Sequence, residues 1–570
     1  MLLLLISPLT LKMLSSMSLV LFTWVSLALI FGGIGLLLTR PFGFVSTSGC
    51  LRGTVWIGIA ISIFVLQIWN FFLPIGEGAF LLLLLIGITG LILERSVLMS
   101  QLRNLTQNKD WIQLVCLIFF VLFAVWLSNR AIGAIRHYDS GLYHWNDIRW
   151  TNLYPIVPGL GNLHSRLGFN ISYFLLFSML EWGIWFQKSH HVVNGFFLLL
   201  FGWNSTISVY RILRGKCSVA DGAGVFLLVP LTLCCLMNAS DTSADLPVFI
   251  LGAILGVELM RLREKQRESI SYSVFLISLL AVAGLSCKLN FAAFGGASLL
   301  AALYFWKRNS AGRRSLKIFT PAILVFLSWI VRGVILSGYP LYPFAFAQMP
   351  VSWKIPEFKV RELTKTIENY GRMADAPTLS TFTIREWFPV WISRITDNPI
   401  SASQILWPSL FAIAGIAILC FRRNSVARDL LWLLPAAAAV FFWFITSPDP
   451  RFAGASIWLL GAGLLSVSLF NATTPSKSVW LALLLSTALS LSIFHTLHKP
   501  LLLPPGPDQG FYPVPQAKLK SVTTNTGLSV FVPVEGKQCW DSPLPCSPDL
   551  DPKLAARDPK KIEHGFILID

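Results

Sequence analysis

The chain is 570 residues long, 55 % of them hydrophobic and only 13 % charged, with a net charge of +17 and a mean hydropathy of +0.66. A water-soluble domain carries about 25 % charge, so a string of about four soluble domains of roughly 150 residues is excluded, and the hydrophobicity excludes a disordered chain. The Lys and Arg excess falls in short loops between apolar runs. That is the pattern of cytoplasmic membrane loops rather than of a nucleic-acid surface, and no nucleic-acid partner is expected.

About 20 apolar residues suffice to cross a bilayer as a helix. Residues 1–16, apolar with a lone Lys12 and no clear cleavage site, read as part of an anchor. Fourteen candidate spans follow: 17–38, 52–73, 79–95, 111–131, 192–212, 222–238, 246–262, 271–288, 289–306, 318–338, 403–421, 429–446, 453–470 and 478–496. Four basic groups assign their loops to the cytoplasm: Arg211/Arg214/Lys216, Arg261 to Arg267, Lys307/Arg308/Arg313/Arg314/Lys317 and Arg422/Arg423/Arg428. Alternation then puts 132–191, 239–245, 339–402, 447–452 and the tail after 497 outside. The run 168–187 is apolar enough to span, yet counting it would invert either the loop before it or every basic loop after it. It is read as an interfacial or re-entrant helix on the outer face.

The expected fold class is therefore an all-α polytopic membrane protein of about 14 transmembrane helices with a small exoplasmic C-terminal tail domain. Its parts are N-terminal membrane helices (1–131), a first large outer loop with interfacial helices (132–191), a membrane core (192–338), a second outer loop (339–402), C-terminal membrane helices (403–496) and the outer tail (497–570). Most of the nine Cys lie in apolar runs, but Cys539 and Cys546 stand in the polar tail in Cys-Trp-Asp-Ser-Pro-Leu-Pro-Cys. A zinc site would need two more ligands. A disulfide is the expected reading, and it requires an oxidising compartment, in agreement with the alternation.

Polar residues concentrate in a few places. The stretch 137–170 holds His137, Tyr138, Asp139, Tyr143, His144, Asn162, His164 and Arg166 among aromatics, Gly and Pro. It reads as a shaped loop at the outer mouth of a helix, against the plainer alternative of a solvated loop with interface aromatics. Asp241 and Asp245 follow in the next outer turn; Asp245 can be an N-cap with Pro247 in the first turn, an explanation Asp241 lacks. Lys288, Arg332 and Arg451 are cations at membrane depth, each a functional candidate unless it snorkels to headgroups. Tyr339 and Tyr342 open the second outer loop as substrate contacts or as an aromatic belt. No Walker-type phosphate loop and no Rossmann fingerprint is present.

Carboxylates and cations on one outer face suit a reaction on a lipid-linked substrate. A carboxylate can take the proton of an acceptor hydroxyl as it attacks a sugar's anomeric carbon, cations can meet the charge growing on a lipid phosphate, and grooves between spans can hold the lipid tail. This layout resembles the GT-C superfamily of polytopic glycosyltransferases, which use polyprenyl-phosphate-linked sugars. The resemblance matches Asp139, in His137-Tyr-Asp-Ser-Gly-Leu-Tyr-His144, to the acidic residue of the first large outer loop. It matches Ser240-Asp-Thr-Ser-Ala-Asp245 to a second acidic element and Arg451 to a phosphate-holding basic residue.

The sequence is also similar to bacterial multi-pass membrane proteins sharing the blocks His-Tyr-Asp-x-Gly-Leu-Tyr-His, Tyr-Pro-Ile-Val-Pro-Gly-Leu-Gly-Asn-Leu-His, Ser-Gly-Tyr-Pro-Leu-Tyr-Pro and Cys-Trp-Asp-x-Pro-Leu-Pro-Cys, a likeness that by itself implies no activity. It departs from the superfamily in placing four spans before the first outer loop and in lacking an Asp-x-Asp pair. The resemblance implies a glycosyltransferase of the bacterial inner membrane, with its site on the outer face. Asp139 would be the base, with Asp241 or Asp245 orienting an acceptor (lipid, glycan or protein) or holding a divalent metal such as Mg or Mn. His144, His164, Lys288 and Arg451 would face the phosphate. The competing expectations are a transporter or flippase of lipid-linked glycans and a non-catalytic membrane assembly protein.

Overall fold

In lipid every backbone N–H and C=O must be satisfied within its own segment, so the apolar runs become helices. The structure, a computed structural model, describes residues 8–44, 50–107, 110–216, 218–262, 267–309, 316–374, 380–421, 430–470 and 475–569. Residues 1–7 of the expected anchor and the basic residues Arg263, Lys265, Arg313, Arg314, Arg422, Arg423 and Arg428 lie outside these. Among the described residues ten helices are long and apolar enough to cross a membrane: Leu9–Phe42, Gly53–Asn70, Trp111–Ala131, Ser189–Leu213, Val219–Asn238, Ile270–Cys287, Leu289–Arg308, Leu316–Ser337, Pro399–Phe421 and Val479–Thr496. Three other expected spans form the shorter apolar helices Glu77–Leu93, Leu431–Thr446 and Ser456–Phe470. A fourth, Asp245–Leu262, carries Asp245, Glu258 and Arg261 within 18 residues. The fourteen expected spans thus resolve into ten clear candidates and four helices too short or too charged to stand with them, and the chain is a multi-pass membrane protein.

Trp111–Ala131 shows what the bilayer does for these helices. Leu114, Leu117, Ile118, Val121, Leu122 and Val125 are all exposed and recur at helical spacing, an apolar stripe suited to lipid. Elsewhere helices approach through small residues: a Cβ on Gly33 would stand 2.1 Å from the carbonyl oxygen of Gly87, and one on Gly90 would stand 2.0 Å from that of Gly33. One buried charge is shared between helices. Asp221, fully buried, meets Arg211 Nε at 2.7 Å and Arg261 Nη2 at 3.2 Å, tying together the helices Val193–Leu213, Val219–Phe226 and Asp245–Leu262.

The segment after Ala131 is irregular: a π-turn Ser140–His144 runs into the helix Trp145–Leu153. The run 168–187 departs from expectation. It holds only the five-residue helix Phe174–Ser178 and short turns. Asn170 adopts the left-handed region at φ 54°, and the Glu181 carboxylate takes the backbone N–H of Gln187 at 2.6 Å and of Ser189 at 3.1 Å, which reverses the chain. Phe174, Leu175, Leu176, Phe177, Met179 and Leu180 are buried within the protein, so this hydrophobicity serves the core and not the headgroup layer.

The tail adds strands to a fold expected to be all helical. Leu519–Thr523 pairs antiparallel with Ser529–Pro533, and Leu554–Ala556 with Phe566–Leu568. The Cys539–Cys546 disulfide is formed. The tail docks on the first loop: Ser547 Oγ donates to Leu163 O at 2.9 Å and the Phe566 N–H to Pro158 O at 3.0 Å. Lys359 of the second loop pairs with Asp551.

Candidate functional site

The site is built on Asp241. Its Oδ2 accepts the backbone N–H groups of Arg136 (3.2 Å) and His137 (2.8 Å), and its Oδ1 accepts the Ser140 hydroxyl (2.5 Å) and the Thr242 N–H (2.9 Å). Four donors thus fill a buried carboxylate, which pegs residues 136–140 in place. The hydroxyls have a fixed sense. Ser140 donates to Asp241, so Thr242 Oγ1 donates to Ser140 Oγ at 2.8 Å. The spent Thr242 hydroxyl must then accept from His144 Nδ1 at 3.0 Å. His144 carries its proton on Nδ1. Burial, helped by Lys288, holds its imidazole well below the usual range, so it is neutral.

On this platform Asp139 meets three cationic or polar partners. Oδ1 accepts Arg166 Nη1 at 3.0 Å; Oδ2 lies 3.6 Å from Arg451 Nη1 and 3.9 Å from His137 Nδ1. Arg451 Nη1 donates to His137 Nε2 at 3.0 Å, which leaves the His137 proton on Nδ1, the atom facing Asp139. Arg451 comes from a tight turn in which Asp449 accepts its backbone N–H at 3.0 Å and its Nε at 3.3 Å. Its Nη2 donates to the Tyr370 hydroxyl at 3.2 Å. Alongside, Lys288 Nζ donates to Asp245 Oδ1 at 2.5 Å and lies 4.9 Å from the Phe452 ring centre, and Arg451 stacks on that ring at 5.4 Å.

The two pairs share one field. Burial alone would raise Asp139, but the charges of Arg166, Arg451 and Lys288 outweigh it and hold its carboxyl below the ordinary range. Burial would lower Arg451, yet Asp245, Asp449, Tyr370 and Asp139 raise it, and it stays charged. Asp139, Asp245, Lys288, Arg166 and Arg451 all keep part of their surface exposed, so the cluster is open to a ligand.

The other expected site residues lie elsewhere. Tyr138 is exposed, and its carbonyl accepts from Gln538. Tyr143 packs beneath the cluster, with the Arg166 guanidinium 5.7 Å above its ring. Asn162 Nδ2 donates to Trp353 O at 2.8 Å and to Phe566 O at 3.2 Å, joining loop to tail. His164 is buried; burial, with Arg166, lowers it to about 4. Both His144 and His164 are thus neutral, whereas a phosphate contact would be expected of a cation. Arg332 is spent on Asn70 at 2.7 Å and Asn170 at 3.3 Å. Tyr339 donates to Ile355 O at 3.0 Å, and Tyr342 packs on Phe169.

Four hydrogen bonds fill Asp241 and Lys288 takes one oxygen of Asp245, and among the described residues no group of three or more His, Cys, Asp or Glu side chains is placed to hold a divalent metal. The sequence reading missed Tyr370, Asp449, Phe452 and Arg394, whose Nη2 lies 3.9 Å from Asp449. Only Asp449, two residues before Arg451, had a local signal.

Fold and cluster together define a multi-pass helical membrane protein with an ionic site where its loops and tail meet. The chain belongs to the family described as Domain of unknown function (DUF8201), whose model matches residues 17–458. No curated protein and no solved structure matches it.

Proposed function

We propose that the protein is a membrane glycosyltransferase similar to the GT-C superfamily, moving a sugar from a polyprenyl-phosphate-linked donor to a hydroxyl of a lipid, glycan or protein acceptor on the outer side of the membrane. The observation that carries this reading is the meeting of His137, Asp139 and Arg166 with Asp245, Lys288 and Arg451, across as many as 314 positions of sequence. The acceptor oxygen attacks the anomeric carbon, the bond from that carbon to the phosphate oxygen breaks, and the hydroxyl proton passes to Asp139. Arg451 and Lys288 meet the charge that develops on the departing lipid phosphate.

The resting ion pairs supply a sequence of events. Asp139 is a weak base while Arg166, with Arg451 and Lys288, lowers its proton affinity. A donor phosphate competes for Arg451 and Lys288, and drawing them away raises that affinity as the acceptor arrives. The test is turnover of polyprenyl-phosphate sugars by purified protein in lipid nanodiscs. Asp139→Asn is expected to lose at least about a hundredfold, the lower end of general-base catalysis. A wild type inert with every donor, or equal turnover by the two forms, overturns the reading.

A further inference from the structure

The ring closed by Cys539 and Cys546 sits against the Asp139 segment. The Trp540 N–H donates to Gly141 O at 2.9 Å and the Gln538 side-chain amide to Tyr138 O at 2.8 Å, so both carbonyls flanking Asp139 and Ser140 are held by the tail. The Trp540 indole lies flush on Gly141, where a Cβ would come within 2.5 Å of it. Trp540 itself is left-handed at φ 51°, a conformation that costs a bulky residue about 1 kcal/mol or more and persists only where its surroundings enforce it. They do. Asn146 Nδ2 donates to Cys546 O at 3.4 Å, Gln187 Nε2 to Asp541 Oδ2 at 2.6 Å, and Arg149 Nε lies 3.5 Å from Asp541 Oδ1. The ring is thus pinned to the first loop at both ends. A π-helical turn such as Ser140–His144 is rare and is frequently found at functional sites.

We propose that Trp540 is a positioning residue: it clamps the π-turn at Gly141 and so fixes where Asp139 points. The clamp touches backbone, not reacting atoms. It comes from beyond residue 458, where the family match ends, although every charged member of the cluster lies within that match. Its bearing on catalysis rests on Asp139 being the base; its bearing on structure does not.

The experiment is a double-mutant cycle on the full-length protein in nanodiscs, read by hydrogen–deuterium exchange of peptides covering 137–144 and by the pH profile of sugar transfer. Trp540→Ala is expected to speed exchange in 137–144 at least tenfold while the spanning helices stay protected, with Trp540→Phe restoring most of the protection. Gly141→Ala is expected to speed exchange in the Trp540 background and to be silent beside Trp540→Ala, where its methyl has room. An equal effect of Gly141→Ala in both backgrounds, or unchanged exchange in Trp540→Ala, overturns the clamp. If Trp540→Ala fails to fold, Trp540→Phe against Gly141→Ala still reads the coupling, and additive effects there overturn it. In active protein the clamp variants are expected to lower kcat more than KM and to shift the acid limb of the profile. A kcat loss with an unmoved limb would assign Trp540 to folding alone. Inert wild type would remove the transferase reading and leave the exchange result standing.

Discussion

Replacing Asp241 by Asn keeps the size of the side chain and removes an acceptor. Whichever way the amide is turned, two of the four donors at Asp241 meet an NH2 group. If it faces Arg136 and His137, both backbone N–H groups lose their partner. If it faces Ser140 and Thr242, the Ser140 hydroxyl can turn and accept, but the Thr242 N–H is orphaned and the hydroxyl chain to His144 Nδ1 loses its fixed sense. A hydrogen bond to a charged group contributes about 1.5–3 kcal/mol, and an orphaned buried donor costs about 1–3 kcal/mol. The less harmful orientation therefore costs about 3–5 kcal/mol, which by 1.4 kcal/mol per decade is at least about a hundredfold in local opening. Hydrogen exchange over 136–144 is the assay, with thermal unfolding beside it. Asp139→Asn is the contrast: partly exposed and with a single close bond to Arg166, it is expected to change stability by less than about 1 kcal/mol, the scale of an exposed pair. Asp241→Asn with unaltered exchange, or Asp139→Asn with an equal loss of protection, would refute this division between a carboxylate that shapes the loop and one that faces substrate.

Burial raises the Asp147 carboxyl to about 7 against the opposing pull of Arg332. Its folded value lies above its unfolded one, so its contribution is present below pH about 4 and lost as pH rises through about 7. Asp147→Asn, neutral at every pH, should match wild type in thermal stability at pH 4 and exceed it at pH 8 by up to a few kcal/mol; parallel stabilities across that range would contradict it. Asp221→Ala leaves Arg211 and Arg261 without their shared carboxylate, a loss of about 3–5 kcal/mol for a broken buried pair. It should lower the unfolding temperature while leaving the pH profile of transfer unmoved, and a shifted profile would tie that cluster to the site.

How much of this was legible in the sequence follows from what hydropathy measures. It records escape from water, not the solvent escaped to. Trp111–Ala131 reads as a span because it is long and uniformly apolar, whereas 168–187 is interrupted by Asn170 and Glu181 and ends inside the protein, broken at the first and reversed by the second. The same rule flagged Lys288 and Arg332 alike, as charges at depth. Lys288 found a carboxylate within a field that includes Asp139 and Arg451, while Arg332 found the neutral amides of Asn70 and Asn170 and became a cross-link between helices. Desolvation cost singles out a buried charge but does not say who answers it.

The reverse holds for Tyr370, Arg394 and Trp540. They stand in polar loops and in the tail, where charge and aromatics are unremarkable, so no local cost marked them. Asp241 shows the limit from the other side. It was singled out as an acid without a capping role, and it does hold the site, yet its four hydrogen bonds are spent on backbone and hydroxyls that lie about a hundred residues earlier or next to it. A carboxylate saturated by such donors has no lone pair left for a substrate proton, so the proposed transfer assigns the base to an acid other than Asp241; Asp139, whose second oxygen faces partners at 3.6 and 3.9 Å, has that lone pair to offer.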